Sequence, residues 1–139
     1  MDDRGPEYQP FPNQEWRNEL QARVEIPLAM RLLKVPRGGR VLELGCGRGV
    51  ALPRLTQLLD PSLLVGLDSE RELLRRAKDR CSTAGIPAML VQGDVRAVPF
   101  EDGSFDVVID FGTCYHVSGG EAAIGEVERV LTPGGVFVY

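Results

Sequence analysis

The run Val41-Leu42-Glu43-Leu44-Gly45-Cys46-Gly47-Arg48-Gly49 carries the most chemical information in the chain. Glycine at alternate positions lets a backbone turn sharply and approach a ligand closely, and a helix starting just after it offers free amide hydrogens to a negative group. Those features suit a nucleotide-type ligand. Glu43 narrows the choice, because a carboxylate here would repel a diphosphate yet attract a cationic amino or sulfonium group. The loop reads G-x-G-x-G, whereas a dinucleotide fingerprint reads G-x-G-x-x-G. Asp68 lies roughly 20 residues beyond Gly49, the separation at which an acid reaches ribose hydroxyls. His116, the sole histidine, with Tyr115 beside it, is the candidate base for an acceptor that must lose a proton.

For such residues to converge, strand ends must meet along one edge. From residue 40 the hydrophobic pattern alternates between two periods, with strand signals at 41–44, 63–67, 88–92 and 105–109 and helical patterns at 50–59, 69–83 and 120–131. That alternation predicts a parallel sheet with right-handed crossovers. Pro53 falls in the first turn of its helix, where an amide hydrogen has no intrahelical acceptor. Ser69 and Glu72 read as an S-x-x-E capping box. Ile124, Val127 and Leu131 form the expected inner face of the last helix, after which Thr132-Pro133-Gly134-Gly135 turns the chain into a fifth strand at 136–139. Upstream, residues 14–33 predict a helix kinked at Pro27, with Trp16, Leu20, Val24, Leu28 and Leu32 recurring every four residues and Trp16 expected in the core. Residues 1–13 read as an extended arm anchored by Tyr8 and Phe11. The expected division is an N-terminal arm and helical segment at 1–39 and a ligand-binding domain at 40–139.

Composition limits the alternatives. A chain of 139 residues with 43% hydrophobic content can bury one core. With 16 Lys+Arg against 20 Asp+Glu and no long basic block, a nucleic-acid partner is disfavoured. Cys46, Cys81 and Cys114 form no C-x-x-C pair, which suggests neither a disulfide framework nor a metal site and fits a reducing, cytoplasmic setting. No apolar run has the length of a signal peptide core or a membrane span, so no membrane partner is expected.

Taken together, these motifs resemble the class I methyltransferases that use S-adenosylmethionine, in particular the methyltransferase type 11 group of small-molecule enzymes. The resemblance covers residues 41–139. It implies an α/β Rossmann-like three-layer sandwich with a mainly parallel sheet in strand order 3-2-1-4-5. By resemblance, Glu43, Gly45, Gly47 and Gly49 surround the methionine part of the cofactor, with Cys46 in the same loop. Asp68, followed by Ser69, holds the ribose; Asp94 and the Val95 amide read the adenine edge; Asp110 and Phe111 line the crevice between cofactor and acceptor. Val98-Pro99-Phe100, the stretch from Asp102 to Asp106, and Arg129-Val130-Leu131 with Pro133-Gly134-Gly135 are similar to later motifs of the group. His116 and Tyr115 fall where the group places acceptor-facing residues.

The implied function is methyl transfer to an O, N or C atom of a small molecule. A non-catalytic S-adenosylmethionine-binding module is the alternative, and a dinucleotide-dependent oxidoreductase a more distant one. The group's fold continues into two further strands, so the chain is expected to be an incomplete form whose fifth-strand edge offers a surface for a homodimer. Asp110-Phe111-Gly112-Thr113 lacks the D/N-P-P-Y/F element of nucleobase amino methyltransferases, which argues against DNA as the acceptor.

Overall fold

The computed structural model describes residues 14–139; the expected anchors Tyr8 and Phe11 lie outside them. Five strands form one parallel sheet: β1 (Arg40–Leu44), β2 (Leu63–Asp68), β3 (Met89–Gln92), β4 (Phe105–Asp110) and β5 (Leu131–Val138). Their order is β3-β2-β1-β4-β5, as the motifs implied. The crossovers carry α3 (Leu52–Leu59), α4 (Arg71–Ala84) and α5 (Gly120–Val130). β1 and β4 are buried over nearly their whole length, as central strands covered on both faces must be.

Two apolar layers sandwich the sheet. Val41, Leu52, Leu55, Leu59 and Ile109 pack on one face, and Leu42, Leu67, Phe105, Val108 and Val127 on the other. Parallel register sets the strand ends level: Leu44 pairs with Leu67 on one side and with Asp110 on the other. The carboxyl ends of β1, β2 and β4 therefore share an edge, and each brings an acid to it. At the opposite edge Asp106 accepts from the backbone and guanidinium of Arg40, and these bonds hold its carboxyl below the usual aspartate range.

Several local expectations are corrected. Residues 14–33 form α1 (Gln14–Leu20), a π-helical turn (Gln21–Glu25) and α2 (Ile26–Leu32). The widened turn relieves the clash that Pro27 would make with the preceding turn, and the Ile26 amide reaches back to the Gln21 carbonyl. Ile26 and Met30 face the core, while Trp16 is 63% exposed and Val24, Leu28 and Leu32 also face solvent. Two sets of apolar residues share the spacing of four, and periodicity alone cannot say which one meets the sheet. The capping box is absent: Glu70, not Ser69, is the N-cap of α4, without a side-chain cap. Glu72 instead bonds Arg75 and Arg76, since a guanidinium is a stronger partner than an amide. On α5 the inner face is Ala123, Val127 and Val130, and Ile124 is exposed. β5 starts at Leu131 and takes up Thr132-Pro133-Gly134-Gly135 as an irregularity in its register with β4, where a turn was expected.

Candidate functional site

The strand ends open into a cavity of about 940 Å³. The end of β1 and the loop after it bring Glu43, Gly45, Cys46 and Gly47 to it; the end of β2 brings Asp68 and Ser69. Asp94 and Val95 enter from the turn after β3, and Phe111 and His116 from the loop after β4. Gly49, Asp110 and Tyr115 are not part of the lining.

Asp68 is 8% exposed and is engaged on both oxygens. The Gly47 amide donates to its Oδ2 (2.8 Å) and the Glu70 amide to its Oδ1 (2.9 Å). One carboxylate thus fixes the glycine loop and the start of α4 together. Glu43 is 4% exposed, and its Oε2 accepts no hydrogen bond. Burial, then the nearby carboxylates of Asp110 and Asp68, pushes its carboxyl well above the usual glutamate range. An acceptor without a donor in a buried cavity is a standing electrostatic cost that a cationic ligand relieves. Asp94 is engaged by Arg96, which donates to it from both backbone and guanidinium and also reaches the Ser118 carbonyl. Val95 tucks its side chain into the core below the rim.

The three residues outside the lining act on its framework. Gly49 lies against Ala77 of α4, where a Cβ would come within 2.9 Å of the alanine methyl. Asp110 accepts from the amides of Gly112 (3.0 Å), Thr113 (2.6 Å) and Cys114 (2.9 Å), and so shapes the loop that carries Phe111 and His116. Tyr115 is 82% exposed and stacks on His116, with ring centroids 4.6 Å apart. The Cys46 thiol is raised far above its usual range by burial and by Glu43 and Asp68, and that of Cys114 is pushed up to about 12 by burial and Asp110. Neither is a nucleophile near neutrality.

Sequence reading missed Asn18 and Gln21, which reach the cavity from α1 and the π turn, and Arg96 and Thr113. A local D-x-R spacing signalled Arg96. Nothing local signalled Thr113, whose side chain rests on Gly45: a Cβ at Gly45 would fall 1.8 Å from the threonine Oγ1. Gly47 has open space where its Cβ would stand. Gly45→Ala is therefore expected to destabilise the fold by roughly 3 kcal/mol. Gly47→Ala should cost no more than about 1 kcal/mol of backbone strain while intruding on the ligand's volume. Thermal denaturation with and without ligand separates the two effects.

Comparison with known proteins agrees with this geometry. The model of the methyltransferase domain family matches residues 41–135, and the chain belongs to that family. A phthiotriol/phenolphthiotriol dimycocerosates methyltransferase of Mycobacterium ulcerans is 41% identical over 105 residues, covering 73% of this chain and 37% of its own. A fatty-acid O-methyltransferase of Mycolicibacterium smegmatis is 36% identical over 102 residues, covering 73% and 36%. Among solved structures, the PH0226 protein of Pyrococcus horikoshii superposes with a TM-score of 0.71 at 32% identity, over 95% of this chain and 60% of that one. The chain spans little more than a third of the length of these two curated relatives.

Membership implies S-adenosylmethionine as the cofactor, and the residues present fit it. Glu43 Oε2 is an acceptor waiting for a donor, the rim is acidic where the ligand is cationic, and the space beside Gly47 is open.

Proposed function

We propose that this chain is the cofactor-binding part of an S-adenosylmethionine-dependent methyltransferase acting on an O, N or C atom of a small molecule. The observation that carries the reading is the buried, unpartnered Oε2 of Glu43 on the rim of the strand-end cavity. A diphosphate would be repelled by Glu43 and Asp68, whereas an amino-acid-bearing adenosine gives Glu43 an ammonium and Asp68 a pair of ribose hydroxyls. Asp94 and the Val95 amide, at the part of the cavity that follows β3, are assigned to the adenine edge. The names of the two mycobacterial relatives support an apolar acceptor carrying a hydroxyl or carboxyl group.

When bound, the cofactor supplies a methyl group already activated on sulfonium. The chain's work is then to orient the acceptor in line with the methyl carbon and to exclude water. Phe111 offers an apolar wall. His116 would take the acceptor's proton where it has one to lose.

Incubation with S-adenosylmethionine and a panel of fatty acids, phenols and amines, followed by measurement of S-adenosylhomocysteine, tests the reading. Calorimetry should show S-adenosylhomocysteine binding and no NAD binding; the reverse would defeat the proposal. With an accepted hydroxylic substrate, His116→Asn is expected to lower kcat about a hundredfold with cofactor affinity unchanged. Tyr115→Phe should leave both roughly as they are, since the phenol stands outside the cavity lining. A loss of cofactor affinity in His116→Asn would move that residue from the acceptor side to the cofactor side.

A further inference from the structure

The helical run from α1 to α2 turns Ile26 and Met30 to the core and the opposite side to water. On that outer side Val24 and Leu28 are each 50% exposed and Leu32 69%, with Leu33 just beyond at 53%. A group of large apolar side chains this close together marks an interaction surface. Along this stretch of the chain the charge is of one sign. Arg31, Lys34 and Arg37 are all exposed, and no acid occurs between Glu25 and Glu43. Neighbouring cations are neutralised, Arg17 by Glu25, Arg23 by Glu19 and Arg40 by Asp106. The side chains of Arg31, Lys34 and Arg37 form no ion pair or hydrogen bond among the described residues.

We propose that this face docks on the surface of an anionic lipid bilayer. A helix with leucines on one side and unpaired Lys and Arg around them lies in the plane of the headgroups, burying the first and neutralising the second. Charge selects this occupant. A second copy of the chain would set the three cations against the same three, and a nucleic acid would leave the leucines without an apolar partner. No helix among the described residues is long and apolar enough to cross a membrane, and none needs to be. The expectation of no membrane partner rested on the lack of signal and spanning segments, which a helix lying in the interface does not require. The same run supplies Asn18 and Gln21 to the cavity, so docking holds the cavity rim beside the compartment where apolar acceptors collect. That use rests on the methyl-transfer reading; the docking itself does not.

Co-sedimentation with vesicles of phosphatidylglycerol and phosphatidylcholine, against phosphatidylcholine alone, is the test. The chain is expected to bind the anionic vesicles, to ignore the neutral ones and to be released as salt rises. Arg31→Glu/Lys34→Glu/Arg37→Glu should weaken partitioning on the order of 100-fold. Leu28→Asp/Leu32→Asp should abolish it, and both variants should retain S-adenosylhomocysteine binding by calorimetry, which also reports that they are folded. Cofactor binding without vesicle binding by the unmodified chain overturns the docking proposal and leaves the methyl-transfer reading standing. Vesicle binding without cofactor binding does the opposite. Undiminished partitioning by the charge-reversed variant, or a dimer in light scattering that Leu28→Asp/Leu32→Asp dissolves, also overturns the docking.

Discussion

Asp68→Ala is expected to weaken binding of S-adenosylhomocysteine roughly a hundredfold, the larger part of it through the protein's own architecture. The carboxylate does not wait idle for a ligand. It accepts from Gly47 and Glu70, and removing it leaves two amides of the glycine loop and the α4 entrance without an acceptor. Charge-assisted bonds of this kind are each stronger than a neutral one, and their loss adds to the loss of the proposed ribose contact. Asp68→Asn separates the contributions. Its carbonyl can still serve one amide, but its NH2 faces the other, so affinity should fall less than for alanine and stability in the absence of ligand should fall as well. Calorimetry for affinity and thermal denaturation for stability check both. A variant with native affinity would mean that the ribose is held elsewhere.

Glu43→Gln should move stability and affinity in opposite directions. The carboxyl of Glu43 is raised by burial and by Asp110 and Asp68, so between the two values the folded chain keeps a proton that the unfolded chain has released. Linkage then makes Glu43 cost stability as pH rises from the ordinary glutamate value of 4.5 towards its raised value in the folded chain. Below 4.5 both states are protonated and the penalty is absent. Glutamine carries no such proton, so the variant should be more stable than the parent at alkaline pH, the difference shrinking as pH falls towards 4.5. Its affinity for the cofactor should drop by a factor of about 10 to 100, because the proposed contact gives the ammonium Glu43 as its charged partner. Denaturation across a pH series and calorimetry at one pH decide the matter. An equal pH dependence in parent and variant would show that Glu43 is ionised in the free protein.

The parallel sheet and the position of the cavity were legible because the chain alternates cleanly between two periods and because G-x-G-x-G directly follows the first strand, while the strand order followed from the family resemblance. Glu43 and Asp68 were legible for the same reason, their stations being set by strand ends. Asp110 shows the limit: an acid ending a central strand looks like a ligand contact, but its oxygens are taken by three amides of its own loop. The sequence D-F-G-T fits either role, and only the folded backbone chooses. The N-terminal helix was legible as a helix but not as to which side was inside, since two stripes share its spacing. Asn18, Gln21 and Thr113 were invisible because their approach to the cavity comes from how elements cross, which no local pattern encodes.

The seating of Thr113 on the bare Cα of Gly45 divides the cavity wall into positions that can drift and positions that cannot. Any enlargement at either partner, or loss of Asp110 beneath them, would disturb the cofactor loop along with the acceptor loop. Phe111 and Val117 border the same cavity without that constraint. Acceptor range should therefore be open to directed evolution at those two sites, in libraries that hold Gly45, Asp110, Thr113 and His116 fixed.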